Sequence, residues 1–312
     1  MKFGQNPMNC LVFLLSIMAV SGFGILKTNE LALELIKGDS AVPIVMLHGY
    51  GSYCGKYEWL EEYLSDNLGI HAEWVEPAID KSYWPSAKYS IQTPIKEQGA
   101  KVCELLNDNP NFQGEFDLFG FSQGTIVSRY VIQYCNLNGK VRNFVSFGGP
   151  LNGQSSNPWD KWELLCRLNS WWENKDAFTE KSQQSKAVAG YWRDPNNYQE
   201  YLSHSSFIAE ANNEVNYSED RRQRFLNLNR VMFIIFAQET TISPPESSWW
   251  GEYNINGTAL VRQQTQVYQK DLIGIKSLES QGRATFATLP GKHVQITEDD
   301  IRNVVIPFIL GR

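Results

Sequence analysis

Six short apolar runs constrain this chain more than any other feature. They lie at 42–47, 71–75, 116–119, 141–147, 231–237 and 284–289, and several are apolar throughout and bounded by Gly, Pro, Asn or Asp. A strand with no polar alternation has no face to give to water, so such runs read as strands buried on both sides. Amphipathic stretches lie between them. Ile95, Gly99, Val102, Cys103 and Leu106 form one helical stripe, which Pro110 ends; Ile126, Val127, Tyr130, Val131 and Tyr134 form another. A last helix is expected at 298–310, kinked or delayed by Pro307. Strands alternating with helices predict an α/β architecture: a mostly parallel sheet of about six strands, covered by helices.

The rhythm breaks at 151–230, about 80 residues with no convincing strand, holding Trp159, Trp162, Trp171, Trp172 and Trp192 among polar helix formers. This reads as a helical cap inserted between two strands of a single domain spanning 25–312. Most of these tryptophans are expected to pack small helices; an aromatic-lined cap also suits the wall of an apolar ligand groove.

Lys2 precedes an apolar run at 11–20, with small residues at Ser21, Gly22 and Gly24. Ten residues cannot cross a bilayer, which takes about 20, so 1–24 reads as a secretory signal peptide. Stable membrane insertion is not expected. Lys+Arg total 28 against Asp+Glu 34, a net charge of −6 without a basic cluster, which argues against nucleic acid as a partner. Export implies an oxidising compartment. Cys54, Cys103, Cys135 and Cys166 then remain, and four cysteines allow two disulfides in three connectivities. Asn216 and Asn256 open N-x-S/T sequons, candidate glycosylation sites on the same route.

Gly120-Phe121-Ser122-Gln123-Gly124 is a G-x-S-x-G motif directly after a strand and directly before a helix. That context makes it a nucleophile elbow: the glycines let the chain turn sharply, and Ser122 is held where developing negative charge meets a helix N-terminus. A serine hydroxyl needs a base. In this architecture the acid and then the histidine follow the nucleophile, and of four histidines only His204 and His293 lie beyond Ser122. His204 falls within the inserted segment and reads as structural or superficial. His293 follows the last strand and is the candidate base. Glu239 is the first carboxylate past the strand at 231–237 and the candidate acid, with Glu246 and Glu252 as rivals. The backbone N–H of Gln123 and that of Tyr50, in the loop His48-Gly49-Tyr50-Gly51, are the candidate oxyanion donors. His48 is expected to order that loop by hydrogen bonding.

These motifs resemble the lysosomal palmitoyl-protein thioesterases over essentially the whole length after the leader. Beyond the elbow, the resemblance rests on Tyr191-Trp192-Arg193-Asp194-Pro195 followed by His204-Ser205-Ser206-Phe207. It rests further on Ser243-Pro244 through Trp249 and Gly251, and on Gly291-Lys292-His293-Val294-Gln295. It implies an α/β-hydrolase fold and a Ser-His-acid triad acting through an acyl-enzyme, with no cofactor and no metal. The implied partners are long-chain acylated proteins or peptides and acyl-CoA-like thioesters. Ser122 and His293 fall on the family's nucleophile and base, and Tyr50 and Gln123 on its oxyanion donors, with Tyr50 where a Met is usual. Glu239 falls on the acid, where the family usually carries Asp. The resemblance also implies a Cys103–Cys135 disulfide, suggests Cys54–Cys166 as a second bridge, and places Asn216 on a family glycosylation position. The implied location is the secretory pathway, ending in the lysosome or outside the cell. Two other readings stay open: a secreted lipase or carboxylesterase using the same triad on oxygen esters, and a binding protein that keeps the fold without the chemistry.

Overall fold

A computed structural model describes residues 41–155 and 176–311. The expected strands are present as β1 (Ile44–Leu47), β2 (Ala72–Trp74), β3 (Glu115–Phe121), β4 (Lys140–Phe147), β5 (Arg230–Phe236) and β6 (Ala284–Leu289). They form one sheet in the order β2-β1-β3-β4-β5-β6, and every neighbouring pair is parallel. The registers Leu47↔Gly120 and Phe236↔Leu289 bring the C-terminal ends of the strands to one edge.

Alternate residues of a strand point to opposite faces, and here both faces are covered. Val45, Leu47, Phe116 and Leu118 pack into one core with helices α3 (Ile95–Asp108) and α4 (Gly124–Tyr134). Ile44, Met46, Phe119 and Phe121 pack into the other. That second core is closed by α1 (Glu58–Leu68), through Leu60, Leu64 and Leu68, and by the C-terminal helix, through Ile301, Val305 and Ile309. Helix α2 (Tyr83–Gln92) precedes α3. Strand β6 differs from the expectation of full burial. It is an edge strand, half-exposed along most of its length, and its Thr285 and Thr288 meet that exposure.

Pro307 neither breaks the last helix nor delays it. The helix runs Glu298–Asp300, widens to a π turn over Ile301–Val305, then continues as Ile306–Ile309. A proline ring clashes with the carbonyl four residues earlier in a regular helix. The wider turn just before it relieves that conflict.

The connection between β4 and β5 carries α5 (Glu180–Ser185), α6 (Tyr198–His204), α7 (Ile208–Ala211) and α8 (Glu219–Leu226), and no strand of the main sheet among its described residues. Trp192 is buried within it; Trp159, Trp162, Trp171, Trp172 and the signal segment at 1–24 lie outside the described residues. Buried arginines fasten this connection. Arg129 of α4 donates to the carbonyls of Leu151 (2.7 Å) and Ala211 (2.8 Å) and to Asn212 Oδ1 (2.9 Å). Arg193 pairs with Glu214 (2.6 Å) and with Glu252 beyond β5 (2.7 Å). Burial works against the charge on Arg193, but Glu214, Tyr201 and Glu252 outweigh it and hold the guanidinium firmly protonated.

Cys103 of α3 and Cys135, just past α4, form a disulfide with a Cα–Cα separation of 5.9 Å. Gly99 lets the same two helices pack closely. A Cβ there would lie 2.3 Å from the Tyr130 ring.

Candidate active site

The turn after β3 is as tight as the motif requires. Ser122 adopts φ 54, in the left-handed region, and its N–H is held by the Phe147 carbonyl at 2.9 Å. The chain must reverse from strand to helix within two residues, so side chains on either side have no room. A Cβ on Gly120 would lie 2.5 Å from Thr125 Cα, and one on Gly124 would lie 2.1 Å from the Leu47 carbonyl oxygen. Positive φ in a non-glycine residue carries strain and is held only where packing enforces it. Here the elbow aims the Ser122 hydroxyl out over the sheet edge, at the start of α4.

His293 comes from the loop after β6, shaped by Gly291 at φ 87. Its Nε2 lies 2.9 Å from Ser122 Oγ and its Nδ1 lies 2.6 Å from Glu239 Oε2. Glu239 stands three residues past β5, and its carboxylate is almost wholly buried. Its second oxygen, Oε1, accepts from the N–H groups of Thr241 (2.7 Å) and Ile242 (3.0 Å). Burial alone would raise this carboxyl, but the bond and charge of His293 and the two backbone donors outweigh it. The group therefore sits below the ordinary carboxylate range. The extra methylene of Glu over Asp is absorbed by the short turn at 239–242, which folds its backbone donors back onto the side chain.

The other candidates are not in this constellation. His204 is on α6, exposed, and faces Glu200 at 3.1 Å. Glu252 is committed to Arg193 and Asn152. The Glu246 carbonyl accepts the Gly251 N–H in the turn that follows.

The loop after β1 lies against the elbow: a Cβ on Gly49 would come 2.8 Å from Ser122 Cβ. Tyr50 is exposed at its tip, and Gly51, at φ 62, donates to Ser90 Oγ at 2.9 Å. The Gln123 N–H sits at the first turn of α4, where no earlier residue of the helix supplies an acceptor. The Gln123 side chain is buried; it donates to the Ser90 carbonyl (2.7 Å) and accepts from Tyr191 OH (3.0 Å). A single residue thus ties the elbow to α2, which braces the loop after β1 through Ser90, and to the β4–β5 connection. Nothing in the sequence singles out Ser90 or Tyr191, because each acts through its place in the fold and not through a motif. The same holds for Glu76, which lies 2.9 Å from His48 Nε2 and supplies the hydrogen bond through which His48 orders the loop.

Among the described residues Cys54 is a free thiol, its Sγ 3.4 Å from Glu76 Oε2; its suggested partner Cys166 lies outside the described residues. Asn216 and Asn256 are both exposed. Beside Tyr50 opens a cavity of about 510 Å³, lined also by Ile91, Pro94, Glu97, Gln184 and Lys186.

The family model for palmitoyl protein thioesterase matches residues 43–293, from the residue before β1 to the histidine facing Ser122. The chain belongs to that family. It is 31% identical over 296 residues to palmitoyl-protein thioesterase 3 of Dictyostelium discoideum, covering 89% of this chain and 96% of the relative. It is 29% identical over 282 residues to palmitoyl-protein thioesterase 1 of Caenorhabditis elegans, covering 88% and 93%. A Xenopus laevis lysosomal thioesterase is 26% identical over 80% of this chain and 85% of its own. The fold is accordingly that of the α/β-hydrolases, and membership makes this chain a hydrolytic enzyme. Among the described residues no helix is long and apolar enough to cross a membrane.

Proposed function

We propose that this protein hydrolyses long-chain fatty acyl thioesters, removing palmitate from S-acylated cysteines of proteins and peptides. The observation that carries the reading is the unbroken hydrogen-bonded line Glu239–His293–Ser122 at the start of α4, in a chain of this family. Ser122 Oγ attacks the thioester carbonyl while His293 Nε2 takes its proton. Glu239 accepts the Nδ1–H, fixes the tautomer and stabilises the imidazolium. The N–H groups of Gln123 and Tyr50 receive the oxyanion. The thiol leaves with a proton from His293. Water, deprotonated by the same imidazole, then releases the acid from the acyl-enzyme.

The cavity beside Tyr50 mixes Glu97, Gln184 and Lys186 with Ile91 and Pro94. Such a lining suits the polar carrier of the thiol better than an alkyl chain. Delivery through the secretory pathway to the lysosome follows the named relative, and exposed Asn216 and Asn256 are its glycosylation sites.

The test is the hydrolysis of palmitoyl-CoA by protein purified from a secretory host, with Ser122→Ala as the blank. A rate abolished in the variant supports the assignment. Turnover of a matched oxygen ester in preference to the thioester would move the protein to the carboxylesterases. Folded protein without a rate on either substrate would leave a binding role.

A further inference from the structure

Away from the candidate triad, the C-terminal ends of β1 and β2 and the turn before α1 bring three different ligand types together. His48 directly follows β1, Glu76 stands two residues past β2, and Cys54 opens the turn Cys54–Tyr57. The pairing of Met46 with Trp74 aligns the two strand ends. His48 and Glu76 are buried and Cys54 is half-buried. Their imidazole, carboxylate and thiol atoms all lie within 4.8 Å of one another. His48 Nε2 is 2.9 Å and Cys54 Sγ 3.4 Å from the same oxygen, Glu76 Oε2.

The surroundings of this trio are those of metal ligands. Nδ1 of His48 faces the Gly49 carbonyl at 3.0 Å. A ring N–H given to a carbonyl leaves the other nitrogen as a lone pair, the usual arrangement for a histidine that binds metal. Both ring nitrogens face oxygen acceptors, and a neutral imidazole has one N–H to offer them. A proton shared with Glu76 or a metal ion at Nε2 satisfies the second contact. The far oxygen of Glu76, Oε1, is oriented by the Ala78 N–H at 3.0 Å, as ligating carboxylates are. One nitrogen, one sulfur and one oxygen suit Zn²⁺, with bonds of roughly 2.0–2.3 Å. They do not suit the all-oxygen preference of Ca²⁺ or Mg²⁺.

We propose that His48, Cys54 and Glu76 form a zinc site at the root of the oxyanion loop, with water or the Trp74 carbonyl, 3.8 Å from Sγ, completing the coordination. On binding, Cys54 gives its proton to the buffer, and the ion takes the place between Nε2 and Oε2. Closing three side chains on one ion opens the His48–Glu76 contact by a few tenths of an ångström. His48 is two residues from Tyr50, so occupancy moves the backbone donor that the proposed reaction uses. The site is regulatory and takes no part in the chemistry.

Co²⁺ serves as the probe, because a thiolate ligand gives it a near-ultraviolet charge-transfer band. Titration of the purified protein is expected to show one equivalent bound with that band, displaced by Zn²⁺ and unchanged in Ser122→Ala and His293→Ala. Cys54→Ser is expected to lose the band with an unchanged melting temperature in metal-free buffer, and Glu76→Gln to weaken binding at least tenfold while circular dichroism shows it folded. No band at millimolar cobalt overturns the site, as does a band that survives in Cys54→Ser or disappears in His293→Ala. The binding result does not depend on the proposed thioesterase reaction. The regulatory part does, and it requires that zinc alter palmitoyl-CoA turnover in the wild type and not in Cys54→Ser. A protein that binds cobalt as expected but hydrolyses nothing would refute the reaction and leave the site.

Discussion

Replacing Glu239 by Gln tests the proposed acid with almost no change of shape. The outcome follows from which way the new amide must face. Oε1 of Glu239 accepts two backbone N–H groups, at 2.7 and 3.0 Å, and Oε2 accepts from His293 at 2.6 Å. In the variant the amide oxygen must stay on the two N–H donors, since turning the NH₂ toward them would set donors against donors at a buried position. The NH₂ then points at His293 Nδ1, which has to accept. The imidazole is forced into the tautomer with its proton on Nε2, where it donates to Ser122 Oγ and cannot take that oxygen's proton. Misplacing the tautomer in such a triad costs about four decades in turnover, about 5.5 kcal/mol at 1.36 kcal/mol per decade. The assay is kcat for palmitoyl-CoA hydrolysis, with melting temperature as the control for folding. A folded variant retaining more than a tenth of wild-type turnover would refute the tautomer argument, and with it the assignment of Glu239 as the acid. Glu239→Asp should lose less: one methylene shorter, it gives up either His293 or the backbone pair, but stays an acceptor.

Other consequences are equally open to measurement. The depressed carboxyl of Glu239 favours the folded state above the ordinary glutamate value of about pH 4.3, and that contribution is lost as pH falls through the lower value of the folded protein. Denaturant titrations should therefore show wild type losing its margin over Glu239→Gln below about pH 5, and parallel acid limbs would contradict this. Cys103→Ser closes no loop across the 32-residue separation and should cost about 3–4 kcal/mol in denaturant unfolding, with a lowered melting temperature and near-normal turnover at 25 °C. Gly99→Ala sets a methyl 2.3 Å from the Tyr130 ring. The overpacking, about 1–3 kcal/mol, should exceed the gain in helix propensity of about 1 kcal/mol and lower the melting temperature; a rise would show that α3 and α4 can separate.

The sheet and the three proposed triad residues were legible because each carries a local sign. Continuous apolar runs such as Val231–Phe236 read as buried strands, and Gly120 and Gly124 flank a serine that must turn. Scarcity did the rest, with few histidines and one early carboxylate after β5. What escaped is whatever depends on contacts between distant segments. Glu76 looks like any polar residue past a short strand, and only the alignment of β1 with β2 buries it against His48. Arg129 sits in a helix whose charged residue would ordinarily face water; the β4–β5 connection covers it completely. Half-exposed β6 escaped as well, since strand order, not composition, makes an edge.

That buried arginine bears on how the family can diversify. The β4–β5 connection is not an exchangeable module. A segment grafted from a relative must bring carbonyls and an amide to the positions of Leu151, Ala211 and Asn212. Otherwise it strands a guanidinium in the interior, at about 3–5 kcal/mol. Substrate range in such a scaffold is expected to change by substitutions along the connection's free surface and in the loops it overhangs. Chimeras that exchange the whole segment should fold only when α4 travels with it.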